Sequence, residues 1–169
     1  AVRLCRFLKD EKMWGVLSVM AVQGTQLDTA EIALAAIQEV DKLEYIGSIQ
    51  KIPSEEARNA ELALYRRCPD EAETILLQSR PSLVWRAIDM NVRLFRWGRA
   101  LELAVKHKKH VDTVLGHRQK YLTRIGKTES DKRFLQYKEI EIDWEAINAK
   151  IENELDDERA MGGSMGTAK

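Results

Sequence analysis

The sequence predicts an all-α fold of stacked helix pairs, and three observations carry that reading. The first is a repeated phrase, Asp28-Thr29-Ala30-Glu31-Ile32-Ala33-Leu34 and Asp70-Glu71-Ala72-Glu73-Thr74-Ile75-Leu76, with a weaker copy at Gly98-Arg99-Ala100-Leu101-Glu102-Leu103-Ala104. In each copy an Asp or Gly suited to a helix N-cap precedes by two positions an Ala, small enough for a neighbouring helix to approach closely. The second is that each copy follows another helical segment, Met20-Ala21-Val22 or its counterpart Leu62-Ala63-Leu64, so the unit is a helix-turn-helix pair. Such a unit buries its apolar face only by stacking. The third is the near absence of strand-like alternation, with just three prolines, Pro53, Pro69 and Pro81, each where a helix should stop or start.

Taken in order, the chain opens on a helical pattern, Val2 to Leu8, without an initiator Met, which suggests a fragment of a longer protein. The first pair spans about Met13 to Val22 and Thr29 to Val40, with Gly24 as a C-cap signal. Asp28 with Glu31, and Asp41 with Glu44, have the spacing of capping boxes; the second opens a helix carrying Leu43, Ile46 and Ile49. Ser54 is the expected N-cap of a helix to about Arg67, with Ala57, Ala60, Leu62, Leu64 and Tyr65 inward, and Pro69-Asp70 opens its partner. Beyond Pro81, Leu83, Val84, Ala87, Ile88 and Val92 recur at helical spacing, with Trp85 and Phe95 adding bulk, and Trp97-Gly98 leads into the third phrase. A helix from about Val111 carries Val114, Leu115, Leu122 and Ile125 and ends at Gly126; Phe134, Leu135 and Tyr137 mark a short one. The last starts near Asp143.

On that last helix Trp144, Ile147, Ile151 and Leu155 recur at steps of three and four, a stripe narrow enough to resemble a coiled-coil seam. These four residues are the expected protein interface, open to a partner helix or a second copy. The organisation read from the sequence is a helical solenoid over 1–138, an acidic amphipathic terminal helix over 139–160, and a disordered tail over 161–169.

Composition narrows the function. The 169 residues are 44% hydrophobic, which excludes wholesale disorder, and 27 Lys+Arg balance 27 Asp+Glu, which argues against a binder of nucleic acid or of membrane surfaces. The longest apolar run, Val16 to Val22, is far short of the roughly 20 residues a membrane span needs. Basic residues dominate from Lys106 to Arg133 and acidic ones from Glu139 to Glu158, so the two blocks either pair or form separate solvated faces. Cys5 and Cys68, unclustered, are expected to pack as ordinary side chains in a reducing compartment.

No chemistry-bearing constellation emerges. His107, His110 and His117 lack Cys or carboxylate partners at ligand spacing and lie beside Lys108 and Lys109, so they are expected in solvent at a helix end. No glycine-rich phosphate loop, nucleophile elbow or thiol–histidine signature occurs. The expectation is therefore no catalytic residue, no bound metal and no cofactor. Trp14, Trp85 and Trp97 are expected in the core, whereas Trp144 suits either a core or a contact role.

Trp14, Leu17, Ala21, Ala30 and Leu34 fall at positions compatible with tetratricopeptide repeats, although Ala30, Ala72 and Ala100 are unequally spaced. More specific strings are Met13-Trp14-Gly15-Val16-Leu17, Leu27 to Ala36, Ile52 to Arg67, Arg99 to His107, and Lys132-Arg133-Phe134-Leu135-Gln136-Tyr137. Over about Lys12 to Leu155 they resemble the C-terminal tetratricopeptide-like region of the intraflagellar transport protein 80 family. That resemblance implies a non-enzymatic subunit of transport complex B, preceded by two β-propellers and working in cilia, at the ciliary base and in the cytoplasm. It implies other complex B subunits as partners, and self-association into a homodimer. A vesicle-coat-like solenoid and a peptide-binding adaptor remain open as alternatives.

Overall fold

A computed structural model describes residues 1–80 and 82–164, with side chains through residue 160; Pro81, one of the expected helix breaks, lies outside it. The described residues form eleven helices and no strand. In order these are α1 (Val2–Leu8), α2 (Glu11–Gln23), α3 (Leu27–Ala36), α4 (Val40–Gln50), α5 (Glu55–Tyr65), α6 (Pro69–Gln78), α7 (Val84–Arg93), α8 (Trp97–His107), α9 (Val111–Arg124), α10 (Lys132–Leu135) and α11 (Trp144–Ser164). They divide into two compact units, Ala1–Ala72 and from Glu73 onward. None is long and apolar enough to cross a membrane.

In the first unit α2 and α3 pack as a pair and α4 follows against α3. Ala21 and Ala30 face the pair's interior, where Val22, Leu34, Ile46, Ile49 and Leu62 complete one core; Cys5, Trp14, Leu17 and Ala33 form a second. Ala30, Ala72 and Ala100 are all fully buried, as the repeated phrase requires. Their unequal spacing has a structural cause: α4 is interposed in the first interval, whereas only a short loop separates α6 from α7 in the second.

Six helix ends share one turn. After α2, α3, α5, α7, α8 and α9 a residue enters the left-handed region, Thr25, Gln38, Arg67, Phe95, Lys108 or Gly126, with φ between 54° and 67°. Each donates its N–H three residues back, and the next residue donates five back, as Gln26 does to Ala21 at 2.8 Å, Cys68 to Ala63 at 2.9 Å and Arg96 to Asn91 at 2.8 Å. This is the Schellman arrangement, made mostly without the glycine that suits it. Gly24 therefore ends α2 with ordinary φ, and Thr25 takes the strained position.

The turn corrects the expected caps. The next helices begin at Leu27, Pro69 and Trp97, so Asp28, Asp70 and Gly98 sit one residue inside them rather than at the cap. Asp41 is likewise inside α4, whose flanking Glu39 makes no side-chain cap. Asp28 instead accepts from the Gln50 amide at 3.2 Å, and the acidic residues still favour the positive helix ends. Ser54 caps α5 through the Ala57 N–H, and Asp143 accepts from the Glu145 and Ala146 N–H groups at the head of α11. Thr25 is the branched residue among the six, and left-handed backbone costs an L-residue about 1–2 kcal/mol. Thr25→Gly is expected to stabilise the chain by about 1 kcal/mol in urea denaturation, net of the extra chain entropy glycine gives the unfolded state.

The second unit buries Ile88, Met90, Leu103, Val114 and Ile147 completely. Asn91 stands where the earlier pairs have Ala21 and Ala63, and it is fully buried. Its amide donates to Glu73 at 2.9 Å and to the Ala87 carbonyl at 2.8 Å, while Arg99 closes a bidentate pair on Glu73. Burial raises the Glu73 pKa, but the hydrogen bonds from Arg99 and Asn91 and the charges of Arg99 and Arg96 together hold it below the ordinary carboxylate value.

Some expected core positions lie outside. Phe95 is 60% exposed because the left-handed turn turns it outward, Ile125 lies beyond the end of α9 at 44%, and Cys68 is exposed in its turn. Residues 161–164 fall within α11, and the remainder of the expected tail, 165–169, lies outside the described residues.

Candidate interaction surface

Helix α11 is docked on α9 through a gap left by a glycine. A Cβ on Gly116 would come within 3.0 Å of both Ile142 and the Trp144 ring, so the bare backbone admits the indole. The His117 ring meets Trp144 edge-on at 5.4 Å, and the Lys120 ammonium lies 3.2 Å from its centroid. Gly116 and His117 are adjacent on α9 and Lys120 follows one turn later, so the three surround the indole. Further along, Lys150 pairs with Asp112 at 2.5 Å, Glu154 with Lys109 at 2.8 Å and with His110 at 3.4 Å, and Glu158 with Arg86 of α7 at 2.6 Å. The basic and acidic blocks thus pair in part within the second unit.

Of the four stripe residues, Ile147 is fully buried against this unit, while Trp144, Ile151 and Leu155 are half-buried. Ile147 has no surface left for a partner, which corrects the expectation of an open seam at that position. Gly116 makes room for Trp144 at the head of the stripe, while Trp144, Ile151 and Leu155 keep part of their surface exposed.

The histidines also depart from expectation. His110 is buried in the left-handed turn before α9, its ring 4.4 Å from that of Trp85, and His117 is half-buried under Trp144. Burial lowers the pKa of both; Glu154 opposes it at His110, and Asp89 opposes it at His117. The folded chain favours the neutral rings, so the stability they contribute is complete above their ordinary value of 6.5 and is lost as pH falls below it. Melting temperature is expected to drop between about pH 7.5 and 5.5, and to drop less when His110 and His117 are both replaced by Gln. No cluster of three or more His, Cys, Asp or Glu able to hold a metal occurs among the described residues.

A second surface feature lies on the other side of α9. Phe95, Trp97 and Tyr121 form an aromatic group with centroids 5.2–5.9 Å apart. Trp97 is accordingly only half-buried, unlike Trp14 and Trp85. The Arg118 guanidinium lies 5.6 Å from the Trp97 centroid and 5.3 Å from that of Phe134, and pairs with Glu129 at 2.9 Å. Hydrogen bonding from Arg118 lowers the Glu129 pKa against the opposing effect of burial. Beside this ladder runs an open groove of about 410 Å³ between α9 and the segment 127–142, floored by Leu115, Leu122 and Phe134.

A third feature went unread in the sequence. Helices α1 and α2 expose Leu4, Phe7 and Leu8, and Met13, Val16, Val19 and Met20, respectively. The signal was available: α2 carries apolar residues on the face opposite Trp14, Leu17 and Ala21 as well as on it.

The helix pairs agree with the comparisons. Residues 13–160 match the model of the IFT80/172/WDR35/WDR19 TPR domain. The intraflagellar transport protein 80 homologs of Mus musculus and Rattus norvegicus are each 51% identical over 170 residues, covering all of this chain and 22% of the relative's length. The intraflagellar transport protein 172 homolog of Rattus norvegicus is 28% identical over 137 residues, 74% of this chain and 8% of that protein. The chain thus spans 22% of the length of the protein 80 relatives it matches. Paired helices closing on buried alanines, and a family match that runs through all but α1 and the start of α2 to α11, place the chain in the IFT80/172/WDR35/WDR19 TPR-domain family.

Proposed function

We propose that this chain is part of a non-enzymatic structural subunit of intraflagellar transport complex B, a protein–protein scaffold for ciliary train assembly and cilium biogenesis. The observation that carries the reading is 51% identity, over the whole chain, to relatives named intraflagellar transport protein 80 homologs. Helix pairs with exposed apolar faces on α1 and α2 suit a scaffold, because such faces are stable only when another element covers them. The partners in this reading are other complex B subunits and a second copy of the chain, and the setting is the cilium, its base and the cytoplasm. A full-length tagged protein is expected to co-sediment with complex B subunits from ciliated cells and to enter cilia, and deletion of this helical region to weaken both. Co-sedimentation with vesicle-coat subunits, or exclusion from cilia, would overturn it.

A further inference from the structure

We propose that the groove between α9 and the segment 127–142 seats an amphipathic helix of a partner protein, one with an apolar ridge flanked by carboxylates. Its floor is Leu115 and Leu122 of α9 with Phe134 of α10, and Arg118 lies between the two leucines at helical spacing, a ridge-and-groove surface that another helix matches. The far wall ends in Leu135 and Ile140, both well exposed and both facing the groove. Apolar side chains at that position gain from being covered.

Charge selects the flanks. The cationic side chains lining the groove are Arg118, Lys127 and Lys138, and its carboxylate is Glu129. Glu129 is consumed by Arg118 at 2.9 Å and by the Ser130 and Asp131 N–H groups at 3.0 and 2.9 Å. Lys127 and Lys138 are exposed and have no carboxylate partner among the described residues. Among the side chains lining the groove the charge of Lys127 and Lys138 is thus uncompensated, Glu139 and Glu141 of the same segment lying outside that lining, and this attracts acidic flanks and repels basic ones. An anionic lipid surface fits less well, since two lysines fall short of the roughly 4–8 cations that read such a surface, and Glu139 and Glu141 are exposed in the same segment. A strand is disfavoured too, because the α9 backbone donors are spent within the helix.

This deepens the scaffold reading and rests on it for its setting, while the test stands apart from it. The probe is a fluorescein-labelled synthetic helical peptide with leucines at i, i+3, i+4 and i+7 flanked by glutamates, and a twin flanked by lysines. Fluorescence anisotropy with the full chain at low salt is expected to show the acidic peptide binding about tenfold tighter. The double variant Lys127→Glu/Lys138→Glu should erase or invert that preference, and Leu135→Ser should weaken binding with unchanged helical circular dichroism. Equal binding of both peptides, no binding of either, or a preference indifferent to the lysine reversal would overturn the proposal. So would lysine-dependent capture by 7:3 phosphatidylcholine:phosphatidylserine vesicles with no peptide preference. A failed peptide test with intact co-sedimentation sinks the groove alone, and a positive one without co-sedimentation sinks the complex B reading alone.

Discussion

Ala30→Glu is expected to abolish or nearly abolish folding of the first unit, with a loss of about 4 kcal/mol or more. Ala30 is fully buried among Ala21, Val22, Leu34, Ile46, Ile49 and Leu62, apolar side chains that offer a carboxylate neither charge nor hydrogen bond. The added side chain would also force α2 and α3 apart at the point where an alanine on each allows close approach. Ala100→Glu should act the same way in the second unit, since Ala100 is equally buried on α8. The control is Ile32→Glu, two positions away on α3 but 40% exposed, for which the expected change is below about 1 kcal/mol. Urea denaturation followed by circular dichroism reads all three. Equal midpoints for Ala30→Glu and Ile32→Glu would show that the repeated alanine marks no close contact.

How much of this was legible in the sequence depends on the range of the interaction involved. The alanine phrase, the Ser54 and Asp143 caps, the Pro69 start and the Gly126 stop were all readable, because each is decided by residues within a turn of one another. The caps at Asp28, Asp41 and Asp70 were misplaced by two residues, the helices starting at Leu27, Val40 and Pro69, for an equally local reason that carries no usual signal. The turn before each uses Thr25, Gln38 or Arg67 in a backbone conformation normally marked by glycine. The candidate surface was less legible. His110 sits beside two lysines in sequence but against Trp85 and Glu154 in space, and only the packing of α7 and α11 onto α9 shows it buried. Gly116, in mid-helix, reads as a weak point until Trp144 is found against it. The narrow stripe on α11 was seen correctly as apolar, yet periodicity alone does not say whether its own chain or another one covers it.

That ambiguity sets up the second large effect. Ile147→Asp is expected to strip α11 from α9 and destabilise the second unit by about 3–4 kcal/mol, because a charge would replace a fully buried apolar side chain. The loss is bounded, since the chain escapes the buried charge by releasing α11 and forfeiting what holds it: the Trp144 seat, the Lys150–Asp112 and Glu154–Lys109 pairs, and Arg86 on Glu158. The Lys150–Asp112 and Glu154–Lys109 pairs rest on exposed lysines and contribute little, so most of the energy lies at Trp144, at Ile147 and at the buried Glu158 that Arg86 pairs. Ile151→Asp, on the same stripe but half-buried, should cost about 1–2 kcal/mol and leave α11 in place. Hydrogen exchange separates the outcomes: Ile147→Asp should lose protection along α11 and on the α9 face around Gly116, whereas Ile151→Asp should keep both. If Ile147→Asp left stability and exchange unchanged but reduced self-association or partner binding, the stripe would be covered by another molecule rather than by α9.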